Sequence, residues 1–252
     1  MSSSLALITG GNRGLGRATA LALAADGSDV VLTYRSHVRE AETVADEVRA
    51  AGRKAAVLRL DTGDADSFAA FEKDLAGVLE QHWDRTTIDH LVNNAGHAVI
   101  TPLGETSREE VKGLVDVQFT GVYFLTQQLV PRIADGGAIV NLSSLLARVA
   151  DGPWSAYAAL KSAVETLTRY WAIELGPRGI RVNTVAPGPI ATDFAGGFLR
   201  DNDDAREQVG QGAVLGRLGT PEEIGSVVTA VLSGRFGWVT GQRIEVSGGF
   251  RP

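Results

Sequence analysis

Tyr157 and Lys161 stand four residues apart in a segment of helical periodicity, so both side chains fall on one helix face. A phenol is a weak acid with a reference pKa of about 10, and an ammonium beside it favours the phenolate, bringing proton exchange closer to neutral pH. With four tyrosines and four lysines in 252 residues, chance supplies only about 0.06 such pairs. Upstream, Ser143 and Ser144 close a β-rich run at 137–142. A hydroxyl there, at the carboxyl end of a parallel strand, can hydrogen-bond a substrate oxygen, and because successive strand residues face opposite sides only one of the two points at the substrate. A third group is Thr9-Gly10-Gly11-Asn12-Arg13-Gly14-Leu15-Gly16, between a short apolar run at 5–9 and an alanine-rich helical segment at about 17–25. Glycines in that setting let the backbone approach a pyrophosphate, while the helix N-terminus presents unpaired N–H groups. An acid, a hydrogen-bond donor and a dinucleotide turn are what carbonyl reduction needs, since a hydride must reach carbon and a proton must reach oxygen. Each feature also has a plainer reading, as an ordinary βα turn or as a half-buried tyrosine beside a solvated lysine.

Positioning these groups requires a scaffold, and the sequence spaces one out. Strand-like runs at 5–9, 29–34, 55–60, 88–93, 137–142, 180–185 and 243–247 alternate with longer helical stretches. All six crossovers have room for a helix, which predicts parallel strands, right-handed connections and helices on both sheet faces. The expected fold class is α/β, one doubly wound (Rossmann) domain over 1–252 with a seven-stranded parallel sheet. Ser107 with Glu110, and Thr220-Pro221 with Glu223, have the spacing of capping boxes. Between 188 and 219 the periodicity fades into glycines and aspartates, which predicts a substrate lid.

Composition excludes several functions. The net charge is −6, with 24 basic and 30 acidic residues and no basic block, which argues against nucleic acid and for a small-molecule partner. The absence of cysteine removes disulfides, thiolate metal sites and a cysteine nucleophile, and no metal site is expected. The run after Met1 is too short for a signal or a membrane span, so a cytoplasmic protein is expected.

The glycine spacing resembles the Thr-Gly-x-x-x-Gly-x-Gly of short-chain dehydrogenases/reductases, with ketone and ketoacyl reducers as its nearest branch. Four further segments agree in order: Asn93-Asn94-Ala95-Gly96, Ser144, Tyr157-x-x-x-Lys161, and Asn183 leading to Pro187-Gly188. The agreement runs on through Thr240-Gly241-Gln242 to Gly248-Gly249. The resemblance implies an oxidoreductase acting on a carbonyl or secondary alcohol, with Tyr157 as general acid/base, Lys161 as its modulator, and Ser144 rather than Ser143 on the substrate oxygen. It implies cofactor contacts from Gly10, Asn12, Arg13, Gly14, Leu15, Gly16, Ala95 and Gly96, adenine contacts from Asp61 and Thr62, and Asn93 beside the ribose. It also places Pro187, Gly188, Ile190 and Thr192 at the nicotinamide carboxamide. Asp61 serves equally well as a helix cap. The second strand ends Thr33-Tyr34-Arg35, where an acidic residue would hold a ribose 2′-hydroxyl and an arginine accommodates a 2′-phosphate. With Arg13 on its other side, a charge-assisted hydrogen bond of roughly 1.5 to 3 kcal/mol gives about a 10- to 150-fold preference for NADP(H) over NAD(H). Two solvated arginines are the plainer reading. One position departs from the pattern, since Gln118 stands where the family has a helical asparagine that supports a water relay to the lysine. Gln118→Asn is expected to keep or raise activity.

Candidate walls of the substrate pocket are His97, Leu145, Leu146, Trp154, Phe194 and Phe198, which suggest an apolar or aromatic ketone. The helical segments at about 107–132 and 154–175 carry apolar residues beyond one sheet-facing stripe, including Val122, Phe124, Leu125, Leu167, Tyr170 and Trp171. Such a surplus predicts a homo-oligomer, and the resemblance adds a tetramer or dimer. A reading of another class is a non-catalytic NADPH-sensing regulator on the same fold, which the complete Ser144, Tyr157 and Lys161 argue against. Reduction of an enoyl thioester is disfavoured, because the Tyr157-to-Lys161 spacing resembles that of carbonyl reducers.

Overall fold

A computed structural model describes residues 3–252. Among them, seven strands form one sheet: β1 (Leu5–Ile8), β2 (Asp29–Tyr34), β3 (Ala55–Arg59), β4 (Ile88–Asn93), β5 (Ile133–Leu142), β6 (Arg181–Pro187) and β7 (Arg243–Val246). Their order is β3-β2-β1-β4-β5-β6-β7 and every pairing is parallel. The order reverses between β1 and β4, and at such a switch point the diverging crossovers leave a crevice beyond the carboxyl ends of the strands.

The strands alternate between two cores. Leu5 and Leu7 face one side with Leu91, Ile139 and Val182, covered by α3 (Phe68–Trp83), α5 (Gly121–Leu129) and α6 (Ser155–Leu175). Ala6 and Ile8 face the other with Val92, Val140 and Val185, covered by α1 (Gly14–Ala25), α2 (Val38–Ala50) and α9 (Pro221–Leu232). Burying each aliphatic side chain contributes about 1.5 to 3 kcal/mol, so a one-residue slip of any strand would exchange the two cores and is strongly resisted.

Both predicted capping boxes are present: Ser107 and Glu110 at the start of α4 (Arg108–Val115), and Thr220 and Glu223 at the start of α9. Two elements differ from expectation. β5 begins at Ile133 rather than 137, because a register shift opposite β4 between Ile88 and His90 lets the chain bulge through Gly136, whose φ of 78° suits glycine. The stretch at 188–219 holds two short helices, α7 (Phe198–Asp201) and α8 (Asp203–Gly210), the latter capped by the Asn202 side chain with Asp203 and Asp204 in its first turn. Before them Ala195, Gly196 and Gly197 are all left-handed. The chain turns sharply there and brings Asp193 back onto Arg200, with which it pairs.

Of the apolar residues on the long helices, Val122, Leu125 and Trp171 are taken up by the chain's own core, whereas Phe124 and Tyr170 stay exposed. No helix of the described residues is long and apolar enough to cross a membrane, and they contain no cluster able to hold a metal ion.

Candidate active site

At the switch point the chain leaves β1 and turns within a few residues into α1. Gly10 and Gly14 have φ of 64° and 54°, which glycine adopts without strain. Gly16 is needed for a different reason: a Cβ there would strike the Gly10 carbonyl oxygen and the Asn94 amide. Asn94 ties this turn to the end of β4, donating to the carbonyls of Thr9 (2.8 Å) and Gly10 (3.1 Å), while the Thr9 hydroxyl accepts from the N–H groups of Asn94 and Ala95 (both 2.9 Å). No side chain caps the first turn of α1, so the N–H groups following Arg13 are left for an anion. Thr192 lies over the turn, its Cβ 3.9 Å from where a Cβ on Gly14 would sit. Gly14, Ala191 and Thr192 line a cleft of about 170 Å³ together with Arg17, Asp193 and Arg200.

These features suit a dinucleotide. The cradle is too close for any side chain, and the helix terminus above it is uncapped. Arg13 and Arg35 are exposed and, among the described residues, neither pairs with a carboxylate. Arg35 lies near enough to the crevice for its charge to depress the pKa of His97. Asn12 is engaged, donating to Glu40 (2.7 Å).

The candidate reacting groups meet at the carboxyl end of β5. Ser144 lies just beyond the strand and caps a short turn, its Oγ accepting from Leu146 N (3.2 Å). Tyr157 and Lys161 lie on the inner face of α6, each only 5% exposed. The lysine Nζ donates to Leu142 O (2.7 Å) and stands 5.7 Å from the centre of the Tyr157 ring. The Tyr157 ring is flanked by Trp154 (6.0 Å between centroids) and Phe194 (5.7 Å).

Burial sets the protonation of this pair. It pushes the Tyr157 phenol above its ordinary range, only partly opposed by a hydrogen bond with Ser144, and it brings the Lys161 ammonium down to about 7. The phenol is therefore not lowered as the spacing predicts: desolvation raises it, and it is held protonated. His97, half-buried, is depressed first by burial and then by the charges of Arg35 and Lys161, so its ring is neutral at pH 7.

Other expected residues fall differently. The side chain of Asn93 is buried, donating to Asn141 Oδ1 (2.8 Å) and Thr126 Oγ1 (3.0 Å) inside the protein. It belongs to a buried chain of polar groups that continues from Asn141 through Thr168 to Thr184. Asp61 accepts from Gly63 N (2.9 Å) in a local turn, with Thr62 beside it, and the following short helix begins after Asp64 rather than at Asp61. Leu145 is not a pocket wall, since it is buried against Ala213 and Phe250. Gln118 is completely buried at a π-helical turn (Asp116–Thr120) between α4 and α5, with Nε2 on His97 O (2.5 Å) and Oε1 without a partner. Gly96 has no side chain because a Cβ there would lie 2.8 Å from that Nε2. Pro187 closes β6, Gly188 abuts Ser247, and Ile190 bridges to Gly219. A larger cavity of about 600 Å³ lies within the 188–219 stretch, lined by Arg206, Glu207, Arg217 and neighbours, and Ser144, Tyr157 and Lys161 are not among its walls.

Sequence reasoning missed the polar chain from Asn93 to Thr184 and the π turn. Asn93, Asn141 and Thr184 each lie in a strand beside a buried valine (Val92, Val140 and Val185), and that placement was the available signal.

Comparison with known proteins agrees with this geometry. A family model described as enoyl-(acyl carrier protein) reductase matches residues 10–251. The 3-oxoacyl-[acyl-carrier-protein] reductase of Staphylococcus aureus is 34% identical over 246 residues, covering 97% of this chain and 96% of that protein. Among solved structures, the angucycline C-6 ketoreductase LanV with bound NADP superposes with a TM-score of 0.93 at 32% identity, covering 98% and 95% of the two chains. The reductase LugOII, whose structure is described as catalysing keto-reduction, gives 0.93 at 33% identity over 99% and 98%. Matched along its whole length in sequence and in architecture, the chain belongs to the short-chain dehydrogenase/reductase family of oxidoreductases.

Proposed function

We propose that the protein is an NADP(H)-dependent reductase of ketones or 3-oxoacyl compounds, working reversibly on the corresponding secondary alcohols. The observation that carries this is the convergence of Ser144, Tyr157 and Lys161 at the carboxyl end of β5, next to the uncapped glycine turn. Backbone groups of Gly10, Gly14, Leu15 and Gly16 would hold the pyrophosphate, and Arg13 with Arg35 the 2′-phosphate. Ala95, Gly96 and the 187–192 segment would flank the ribose and carboxamide. NADPH bound there would supply the hydride.

The protein's own groups do the rest. Ser144 and Tyr157 hold the carbonyl oxygen between two hydroxyls. Tyr157, kept neutral by burial, donates its proton as negative charge grows on that oxygen. Lys161, close to neutrality at about 7, takes part in restoring the phenol's proton. Trp154 and Phe194, beside the phenol, favour a flat or aromatic substrate. The names of LanV, LugOII and the staphylococcal enzyme support keto rather than enoyl reduction. The 188–219 stretch, with its left-handed turn at 195–197, is the substrate lid. Phe124, Tyr170 and Ile173, exposed on α5 and α6, favour a homo-oligomer through that face.

The test is loss of NADPH absorbance over a panel of ketones, with Tyr157→Phe as control. The variant should bind NADPH within about twofold of wild type and lose about 10²- to 10⁴-fold in kcat, the range for removing a general acid. A Tyr157→Phe protein of undiminished kcat refutes the assignment.

A further inference from the structure

The end of β5 packs against α6, and a charged group from the last strand also reaches it. On β7, Arg243 donates through Nε to Glu165 Oε1 (2.7 Å) and through Nη2 to the carbonyl oxygen of Ser144 (3.3 Å). Glu165 lies one helical turn beyond Lys161 on α6 and also accepts from the Ser143 hydroxyl (2.7 Å). That hydroxyl stands 3.3 Å from the Lys161 carbonyl as well. With Lys161 Nζ on Leu142 O, three consecutive residues at the end of β5 are thus tied down: 142 by its carbonyl, 143 by its side chain and 144 by its carbonyl. Glu165 and Arg243 are only 12% and 22% exposed, so the pair is weakly screened. Arg243 is itself held by Glu245 (2.7 Å), which Arg148 grips with two nitrogens at 2.8 Å each.

We propose that Glu165 and Arg243 are a positioning pair that fixes the end of β5 so that the Ser144 hydroxyl stays aimed at the substrate oxygen beside Tyr157. The inference rests on the proposed reductase activity, because the pair acts through Ser144. A carbonyl pulled by a guanidinium on one side, and a neighbouring hydroxyl clamped by a carboxylate on the other, leaves the peptide between them little freedom to rotate. Catalytic hydrogen bonds lose their value steeply when displaced by an ångström.

The test is a pair of parallel substitutions, Glu165→Ala in wild type and in Ser144→Ala, read as single-turnover NADPH oxidation with a ketone that the wild type reduces. NADPH affinity by fluorescence and the urea midpoint are read alongside. In wild type, Glu165→Ala should lower the rate about 10- to 100-fold with NADPH affinity within about twofold; in Ser144→Ala the same change should cost less than about threefold, because residues acting as one unit are not additive. Glu165→Gln should restore the rate to within about threefold of wild type, since its amide oxygen still accepts from Ser143 and Arg243. If Glu165→Ala does not fold, Arg243→Met serves the same cycle, removing the contact to the Ser144 carbonyl while leaving Glu165 on Ser143. Equal losses in the two backgrounds would overturn the pair as a positioning device and leave the reductase standing. A Ser144→Ala enzyme as fast as wild type would overturn both.

Discussion

Lys161 is a lysine the fold would be more stable without, and the size of that cost follows from its burial. Its pKa falls from 10.5 to about 7 with desolvation as the cause. At 1.36 kcal/mol per unit, folding with this lysine ionised costs about 5 kcal/mol more than folding with it neutral. The folded state binds fewer protons than the unfolded chain between pH 7 and 10.5, so stability rises with pH across that window; the cost is complete below pH 7 and gone above 10.5. Lys161→Met keeps the stem and removes the charge, and it also removes the hydrogen bond to Leu142 O, a loss of about 1 to 3 kcal/mol at every pH. The variant should therefore be more stable than wild type by about 2 to 4 kcal/mol at pH 6, and less stable by about 1 to 3 kcal/mol near pH 10.5, with the curves crossing between about pH 8 and 10. Urea unfolding at a series of pH values measures this directly, provided the slopes with denaturant stay equal. A difference between the two proteins that stays constant from pH 6 to 10.5 refutes the reasoning, because it would mean that Lys161 ionises alike in both states. The same variant should be inactive, so that stability and turnover move in opposite directions at neutral pH.

Other consequences can be measured separately. Arg35→Ala should raise the KM for NADPH about 10- to 150-fold and leave that for NADH nearly unchanged, as loss of one charge-assisted contact to a 2′-phosphate requires; an unchanged ratio of the two kcat/KM values removes Arg35 from that role. Gly16→Ala should destabilise the protein by about 1 to 3 kcal/mol and impair NADPH binding, because the new methyl meets the Gly10 carbonyl and the Asn94 amide, and a thermal melt with a fluorescence titration checks both. Gln118→Asn, expected from the sequence alone to keep or raise activity, should now lower stability by about 1 to 3 kcal/mol: the shorter side chain cannot hold His97 O and leaves a gap in a fully buried site. A Gln118→Asn variant that melts with or above wild type contradicts the structural role of that contact.

Much of the architecture was written in local pattern. The alternation of Leu5 and Leu7 with Ala6 and Ile8 specifies a strand buried on both sides, and Ser107 with Glu110 marks a helix start by side-chain chemistry alone. The Tyr157–Lys161 pair and the glycine turn were legible for the same reason, since their spacing is itself the geometry. What local pattern does not carry is long-range contact. Nothing near Asn93 in the chain says that Asn141, 48 residues on, will take its amide. Nothing near Ser143 announces Arg243 on the last strand, and Leu145 reads as a pocket wall until Phe250, from the far end of the chain, closes over it. The protonation of the acid pair was misjudged from spacing for a related reason: proximity to Lys161 is local, whereas desolvation depends on everything packed around it.

That desolvation connects the stability of the protein with its proposed chemistry. A lysine in water gains little from a nearby anion, because water already solvates its charge. Lys161 has lost that solvation and keeps a single carbonyl partner, Leu142 O, so an oxyanion forming on or beside Tyr157 would meet a cation with little else to satisfy it. The attraction is largest in the state where negative charge has developed and smallest in the resting pair of neutral phenol and half-protonated amine, which is the ordering that lowers a barrier rather than merely tightening binding. Burial, and then the charges of Arg35 and Lys161, also hold the pKa of His97 below its ordinary value. The fold holds this costly lysine on α6 against the end of β5, with its ammonium on Leu142 O, which is where the proposed chemistry would use it.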